Sequence, residues 1–532
     1  MVVLVSIVLF GAAAWKVIFL IWQRFPFNSD EAIVGLMARH ILQGARPVFF
    51  YGQSYMGSLD AWLTAVAFSV FGQQVWVIRL VQTMLYLGIV ASSVWIVWRI
   101  SGSRRSMLVT GLLLAIPTVN VLVYTTVSLG GYNEALLFGN LILAACIEMN
   151  IQKRQTDRVP LWLFAGFGLS IGLGIWAHYL TIVYTLPGGL FAAWILFSGP
   201  KMSVRRITAS VLAWLAGVML GFAPVWVFAI QQGIGAFLAG MLQMGFSANG
   251  SDFFMQIAEH LRNFLLFGLP VMLGIRPPWT FKWLALPLLP FVLAAWSLFT
   301  WKYVRQSPSR RRNLPESILL SLTALTLLLA FLFSYFGADP SGRYFLPFYV
   351  LSGMGIGLFF SQPREKVFYA ALGVILVFNA VSTFQCALEP QPGLTTQFTD
   401  ASQIDHTYDT ALIQFLTKEG ETRGYSNYWV TYPLAFLSDE QILFSPALPY
   451  EMNLGFNPRD DRYPLYSQIV QQAHQPPAYI ITRQPELETR LREAFSQHGI
   501  TWEEKTLGNY QVFYHLSETF QPADLGLSFS QQ

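Results

Sequence analysis

Residues 2–22 read VVLVSIVLFGAAAWKVIFLIW, and after a short connection residues 28–44 read NSDEAIVGLMARHILQG. The first stretch is apolar and long enough to cross a bilayer, which takes about 20 residues. In the second, apolar residues recur at helical spacing between Ser29, a natural N-cap, and Gly44, a natural C-cap. The pattern predicts an uncleaved first span, followed by an amphipathic helix on the membrane surface with Asp30 and Glu31 in its first turn.

The composition of the whole chain agrees with a membrane protein. Its 532 residues are 54% hydrophobic and only 12% charged, whereas soluble domains carry about 25% charged residues. A soluble globule and a disordered chain are both excluded, because disorder requires low hydrophobicity and high net charge. The two cysteines, Cys146 and Cys386, are too few for a disulfide framework or a cysteine metal site.

Eleven apolar runs have the length of a span. They are 2–22, 75–98, 107–123, 134–150, 161–177, 180–198, 207–230, 284–301, 315–336, 346–361 and 367–386. Every second connection between them is basic, with clusters at Arg99/Arg104/Arg105, Lys153/Arg154/Arg158, Lys201/Arg205/Arg206, Lys302/Arg305/Arg310/Arg311/Arg312 and Arg364/Lys366. Short basic loops stay in the cytoplasm. We therefore predict a multi-pass protein of the plasma (inner) membrane with a cytoplasmic N-terminus.

The same orientation defines the segments that face outward. They are 23–74, 124–133, 178–179, 231–283, 337–345 and 387–532. A shorter apolar run, 261–275, ends before Arg276 and two prolines. We interpret it as a re-entrant or interfacial segment, because a further span here would place the basic cluster at 302–312 on the outer side of the membrane. We expect a membrane domain over 1–386, including an amphipathic outer loop at 23–74.

After Cys386 the composition changes and predicts a separate α/β domain over 387–532. Residues 1–386 carry a net charge of +14 and residues 387–532 a net charge of −10. Alternation and apolar runs predict strands at 425–431, 441–445, 478–482 and 509–516, and helices at 408–418 and 485–498. The aromatic run 427–433 is either an acceptor-facing segment or a strand with a packed tryptophan.

The candidate functional residues lie in the segments predicted to face outward. Asp30 and Glu31 are either functional carboxylates or an acidic pair that favours a helix N-terminus. The run from Tyr51 through Gln53 and Tyr55 is either a wall for a sugar ring or a set of aromatic membrane anchors.

Three further predicted outer sites carry polar side chains beside apolar runs. Glu134 opens the fourth span, His178-Tyr179 occupies a tight hairpin, and Arg343-Tyr344 precedes the tenth span. Each has an alternative explanation. Glu134 could simply start a helix, and His178 could be a structural histidine with its hydrogen bonds made within the protein. Arg343 could pair with Asp339 or with a lipid head group. Because Pro340 and Gly342 interrupt the helix, we expect Arg343 to meet a ligand phosphate instead.

These residues, in this order and on one face, resemble the GT-C membrane glycosyltransferases, close to family 39, which includes protein O-mannosyltransferases and lipid A aminoarabinose transferases. The resemblance rests on Asp30-Glu31, the run 51–57, Glu134 and Arg343-Tyr344 with Pro347, and covers roughly residues 20–360. It implies a GT-C-like helical fold with about eleven transmembrane helices. One departure is His178-Tyr179, where relatives often have Lys followed by Tyr, and it implies that phosphate binding there is weaker or depends on pH through protonation of His178.

The resemblance also implies an activity. A sugar would move from a polyprenyl-phosphate donor, with inversion, to an acceptor hydroxyl on a glycolipid, polysaccharide or protein. Asp30 would act as the base with Glu31 in support, and Arg343, His178 and Tyr344 would bind the donor phosphate. The substrate-binding residues would be Tyr51, Gln53, Tyr55, Glu134 and Tyr179.

No cofactor and no nucleic acid is expected, and no glycine-rich phosphate loop follows a strand. Asp30 and Glu31 could bind a divalent metal ion, although two carboxylates are too few to define a site. The main alternative is a transporter or flippase of lipid-linked glycans, and the next is a structural or receptor protein. Formation of product from a lipid-linked sugar would separate the three.

Overall fold

A computed structural model describes residues 2–198, 203–235, 253–305, 314–389 and 392–527. The chain divides into two units. The membrane unit contains Met1–Arg24, Tyr55–Asp60 and Arg79–Leu388; the α/β unit contains Phe25–Ser54, Ala61–Ile78 and Glu389–Gln532. The first outer loop, which the sequence analysis assigned to the membrane domain, thus belongs mainly to the same unit as the C-terminal segment.

The predicted polytopic helical fold is confirmed. Helices lie at Val2–Ile21, Val75–Ser101, Arg104–Ala115, Val119–Tyr124, Tyr132–Thr156, Leu161–Ala177, Ile182–Phe197, Val204–Gly221, Ala223–Gln232, Phe253–Asn263, Leu269–Met272, Leu289–Arg305, Leu314–Phe333, Leu346–Phe359 and Lys366–Leu388. In the described part of the chain, seven helices are long and apolar enough to cross a membrane. All eleven predicted runs contain helix.

Two of the predicted runs are interrupted. Run 107–123 breaks between Ala115 and Val119, because Pro117 lacks a backbone donor and clashes with the preceding turn. Run 207–230 breaks at Phe222, and Pro224 lies in the first turn of the helix that follows. The segment 261–275 continues the helix Phe253–Asn263 through a π-helical turn at Phe264–Gly268 and is not among the candidate spans.

Several sequence features fall outside the described residues. These are Lys201, Asp252, Pro390, Arg310, Arg311 and Arg312, together with residues 236–252 of the segment expected to face outward.

A buried lysine ties the first span to the membrane unit. Lys16 is 1% exposed, and its ammonium donates to the backbone oxygen of Thr125 (2.7 Å), to Thr125 Oγ1 (2.8 Å) and to Thr126 Oγ1 (2.8 Å). It also lies 4.3 Å from the centre of the Tyr86 ring. Three oxygen acceptors match the three donors of an ammonium group, so a charge within a span is satisfied without a carboxylate.

The α/β unit is built on a five-stranded sheet. Its strands are β3 (Arg423–Tyr425), β4 (Leu443–Ser445), β5 (Ala478–Thr482), β6 (Glu503–Leu507) and β7 (Tyr510–Tyr514), following two short strands of the first loop, β1 (Phe49–Phe50) and β2 (Gln53–Gly57). The sheet order is β4-β3-β5-β7-β6, with parallel pairs among β3, β4 and β5 and antiparallel pairs at β7.

Side chains of β5 alternate between two helical layers. Tyr479 and Ile481 pack with Leu491 and Phe495 of the helix Pro485–Gln497, whereas Ile480 packs in the layer of the helices Asp409–Glu419 and Tyr428–Leu437. Both faces of the strand are therefore covered, which explains its unbroken apolar sequence. The predicted strand 478–482 and the helices 408–418 and 485–498 are confirmed.

The predicted strand at 425–431 is wrong beyond Tyr425. A helix begins at Tyr428, because the side chain of Asn427 accepts the backbone N–H of Trp429 (3.0 Å) and caps it. Val430 and Leu434 then face the sheet one helical turn apart. The aromatic and β-branched residues look strand-like in sequence, but tertiary packing decides the local structure. Strand β6 and the helix Pro464–Gln471 were not predicted.

The helix of the first outer loop is confirmed at Ser29–Leu42, but its cap and its environment differ from the expectation. Asn28, not Ser29, is the N-cap, and its side chain accepts the N–H of Glu31 (3.1 Å). The helix packs against Tyr428–Leu437, where a Cβ at Gly35 would come within 2.5 Å of the Phe436 ring. Twelve of its 14 residues are buried, so it is a core helix and not a surface helix.

Candidate active site

Three loops of the membrane unit meet at His178. Met56 pairs with His178 in an isolated antiparallel bridge. Gly131 has φ +77°, and a Cβ there would lie 2.3 Å from the backbone oxygen of Ala177. The glycine therefore allows the start of the helix Tyr132–Thr156 to approach the 177–178 turn, as no other residue would. Tyr132 consequently packs on His178 with ring centres 4.6 Å apart.

Aromatic rings surround this meeting point. Tyr55 lies 6.1 Å from the ring of His178 and 6.3 Å from that of Phe336. Phe336 in turn lies 4.8 Å from Tyr344, which hydrogen-bonds to Tyr132. The structure thus brings together Tyr55, His178 and Tyr344, which the sequence analysis selected from three separate segments.

Arg343 extends this cluster and has a protein partner. Its Nη2 lies 2.6 Å from Asp339 Oδ2, so the expectation that Pro340 and Gly342 prevent this pair is wrong. Burial would lower the pKa of Arg343, but Asp339 acting together with Tyr132, Tyr344 and Tyr55 outweighs burial and raises it. The side chain is 35% exposed, whereas its Nε is buried and has no hydrogen-bond partner within the described chain.

His178 has a fixed protonation state. Its Nδ1 accepts the backbone N–H of Leu180 (2.9 Å), and the residue is 1% exposed. Burial and then the positive charge of Arg343 lower the pKa of His178 to about 3. The ring is therefore neutral near pH 7 and does not add positive charge, in contrast to the pH-dependent cation expected from the sequence. Its Nε2 has no partner among the described residues and is free to donate.

Glu134 lies deeper than its position at the start of a span suggested. It is fully buried, and neither carboxylate oxygen has a hydrogen-bond partner in the described ranges. It interacts electrostatically with Asp60, which accepts hydrogen bonds from Gln82 (2.8 Å) and Ser128. Tyr179, the last of the candidates in this unit, is half-buried at the start of a 3₁₀ turn.

A second arginine, which the sequence analysis did not select, supports the Arg343 loop. Arg276 is 2% exposed and donates to the backbone oxygens of Pro340 (3.2 Å) and Thr280 (3.0 Å). In the sequence, Arg276 stands between an apolar run and two prolines, and this position indicated only the end of the apolar run. Its role in this structure is to fix the backbone from which Arg343 projects.

Asp30 and Glu31 belong to the α/β unit and differ in exposure. Asp30 is half-buried, and its Oδ1 accepts the hydroxyl of Tyr428 at 2.5 Å. Glu31 is fully buried. The described residues contain no group of three or more His, Cys, Asp or Glu side chains that could hold a metal ion. The geometry thus gives Asp30, but not Glu31, access to a ligand.

Tyr51 takes part in a polar chain within the α/β unit. Its ring stacks on Tyr463 (4.7 Å, 16° between planes), and its hydroxyl lies 3.0 Å from His40 Nδ1. His40 Nε2 donates to Glu440 Oε1 (2.9 Å), which also accepts the hydroxyl of Tyr466 (2.6 Å). Burial would raise the pKa of Glu440, but the hydrogen bonds from His40 and Tyr466 lower it below its usual value. Tyr51 therefore has a defined partner on each side.

Gln53 and Asp460 complete the candidate residues of this unit. Gln53 is half-buried at the start of β2. Asp460 is 8% exposed; burial raises its pKa to about 7, with added repulsion from Glu451 and Asp30, against the opposing charge of Arg462. The sequence offered no signal for Asp460, because its neighbours come from distant segments.

Comparison with solved structures shows what this fold is. The structure of ArnT from Cupriavidus metallidurans bound to undecaprenyl phosphate matches 96% of this chain and 97% of its own, with a TM-score of 0.57 and 14% identity. ArnT in the apo state matches with a TM-score of 0.52 and 13% identity, covering 94% of each chain. The oligosaccharyltransferase of Archaeoglobus fulgidus, in complex with Zn and sulfate, aligns with a TM-score of 0.46 and 14% identity, covering 92% of this chain and 69% of its own.

No family model and no curated protein matches the chain by sequence. The likeness to ArnT over nearly the full length of both chains shows a GT-C fold, as the sequence resemblance implied.

Proposed function

We propose that the chain is a glycosyltransferase that moves a sugar from a polyprenyl-phosphate donor to an acceptor hydroxyl at the outer face of the membrane. The observation that carries the proposal is Arg343, whose side chain is 35% exposed, is held by Asp339 and lies 5.3 Å from the centre of the Tyr344 ring. A guanidinium matches the oxygens of a phosphate better than a point charge does. ArnT, which shares the fold over 96% of this chain, was solved with undecaprenyl phosphate.

The chemistry needs a base for the acceptor and cations for the leaving phosphate. Asp30 would take the proton of the acceptor hydroxyl while that oxygen bonds to the anomeric carbon. The bond from this carbon to the phosphate oxygen breaks at the same time, and its electron pair leaves with the phosphate, for which Arg343 would be the cation. Direct displacement of this kind inverts the anomeric centre.

The remaining candidates are assigned by their position. Tyr344 would donate a hydrogen bond to the donor phosphate and Tyr55 would contact the sugar, whereas burial makes His178 better suited to holding Tyr132 than to touching the phosphate. Tyr51, Gln53, Glu134 and Tyr179 remain substrate-binding candidates, although full burial makes Glu134 better suited to shaping the site than to touching a substrate.

Binding of undecaprenyl phosphate to the purified protein tests the donor assignment. The ligand is expected to raise the melting temperature of the wild-type protein and to have a weaker effect on Arg343→Ala. Equal stabilisation of both proteins would contradict the assignment. Reconstitution into liposomes tests the transporter alternative, because a flippase would move the lipid-linked sugar between leaflets without forming a glycosylated product.

A further inference from the structure

Two neighbouring residues of the Ser29–Leu42 helix bind opposite ends of one tyrosine. Ser29 Oγ donates to the backbone oxygen of Tyr428 (2.6 Å), and the hydroxyl of Tyr428 donates to Asp30 Oδ1 (2.5 Å). The second distance is typical of a hydroxyl bound to a charged carboxylate. The phenol is therefore fixed relative to Asp30 at both its backbone and its side-chain end.

The ring of Tyr428 is also held from its sides. The residue is 3% exposed, and its ring makes edge contacts with Trp429 (4.8 Å) and Tyr432 (5.5 Å). The guanidinium of Arg462 lies over the ring at 5.6 Å. A ring packed in this way has little rotational freedom, so its hydroxyl marks a fixed point beside Asp30.

This fixed point distinguishes the two oxygens of Asp30. A free carboxylate can rotate and present either oxygen, whereas a base must be held within hydrogen-bond reach of the proton that it removes. The phenol occupies Oδ1, and the half-buried side chain leaves Oδ2 for a ligand.

We propose that Tyr428 is a positioning residue that holds Asp30 so that Oδ2 accepts the proton of the acceptor hydroxyl. The inference rests on the proposed function. In the transfer step the acceptor proton moves to Oδ2, while the phenol keeps its own proton and its hydrogen bond to Oδ1. The segment after residue 388 would then contribute directly to catalysis.

The variant Tyr428→Phe tests this role by removing only the hydroxyl. We expect kcat to fall about 10- to 100-fold, the loss typical of a misplaced catalytic group, with no change in the affinity for undecaprenyl phosphate. The matched control is Tyr479→Phe, which removes another buried phenol hydroxyl of the same unit, one that donates to the backbone oxygen of Phe520 (2.6 Å). The control should retain wild-type kcat.

A double-variant cycle separates positioning from general stability. In an Asp30→Asn background the phenol has no base to position, so adding Tyr428→Phe should cost no further activity. The proposal would be overturned if folded Tyr428→Phe had the wild-type kcat, or if Tyr428→Phe lowered kcat by the same factor in the wild-type and Asp30→Asn backgrounds.

Misfolding of Tyr428→Phe and full activity of Asp30→Asn have different consequences. Should Tyr428→Phe fail to fold, Ser29→Ala takes its place, because it removes the backbone anchor of Tyr428 and should also lower kcat; a wild-type kcat would overturn the proposal. Full activity of Asp30→Asn would instead remove the proposed function itself, whatever the effect of Tyr428→Phe.

Discussion

Arg343 and Asp339 form an ion pair of 2.6 Å across a loop that contains both Pro340 and Gly342. The loop folds back because Gly342 adopts φ +81° and a 3₁₀ turn begins at Arg343. Asp339 also accepts the backbone N–H of Ser341 (2.7 Å) through its other oxygen. The carboxylate therefore orients the guanidinium through Nη2, while 35% of the side chain stays exposed.

From this arrangement we predict graded effects on donor binding. Arg343→Ala should weaken binding of undecaprenyl phosphate about 10- to 100-fold, since a hydrogen bond to a charged group contributes about 1.5–3 kcal/mol. Arg343→Lys should weaken it less, because an ammonium keeps the charge but loses the fork. Asp339→Asn should have a smaller effect through loss of orientation. Wild-type binding by Arg343→Ala, together with a destabilised Asp339→Asn, would make the pair purely structural.

The buried carboxyl of Asp460 predicts a pH dependence. Its pKa of about 7 means that it gains negative charge as the pH rises through neutrality, while Glu451, Asp30, Arg462 and Tyr450 face it. Ionised Asp460 attracts Arg462, whose guanidinium lies over the ring of Tyr428, so we expect kcat to rise between about pH 6 and 8. A pH profile of kcat should show this limb in the wild-type protein and lose it in Asp460→Asn. An identical limb in both proteins would contradict the assignment.

The hydrogen bonds of Glu440 predict a stability effect at low pH. Because its folded-state pKa is lowered, Glu440 stabilises the protein fully above its usual pKa of 4.5, and the contribution is lost as the pH falls below that value. Glu440→Gln should lower the free energy of unfolding at pH 7 by about 1–3 kcal/mol. The difference from wild type should shrink towards pH 3 in denaturant titrations. A difference that is constant with pH would show that the charge of Glu440 is unimportant.

Cysteine labelling tests the predicted topology. Thr156 and Ser496 are exposed and lie in segments assigned to opposite sides of the membrane, and the two native cysteines are buried. In intact cells a membrane-impermeant maleimide should label Ser496→Cys but not Thr156→Cys, and cell lysis should expose both. Labelling of both before lysis would contradict the assigned orientation.

The sequence predicted those parts of the fold that depend on local pattern. The strand 478–482 and the helix from Pro485 were found because their periodicity and caps are contained within about 15 residues. The helix at Tyr428 was missed, because its aromatic residues favour a strand and only packing on distant elements makes them helical. The surface position of the Ser29–Leu42 helix was wrong for a similar reason: its partner helix lies about 400 residues away.

In the candidate site, too, the sequence indicated the residues with a local signal and missed those defined by distant contacts. Arg343 was selected because an arginine beside a span requires an anion, and the structure supplies Asp339 as one. Tyr428 and Asp460 could not be selected, since nothing in their neighbouring residues indicates that they lie near Asp30. The protonation of His178 also depends on burial and on Arg343, neither of which the sequence displays.

Transfer of a radiolabelled sugar is the most direct test of the central claim. Purified protein would be incubated with undecaprenyl phosphate carrying a labelled hexose or pentose and with a cell-envelope fraction as the source of acceptors. The account predicts that label moves from the lipid donor to envelope material with wild-type protein, and that Asp30→Asn, folded and still able to bind undecaprenyl phosphate, transfers almost none. Transfer by Asp30→Asn at the wild-type rate, or no transfer from any donor by a wild-type protein that binds undecaprenyl phosphate, would contradict it.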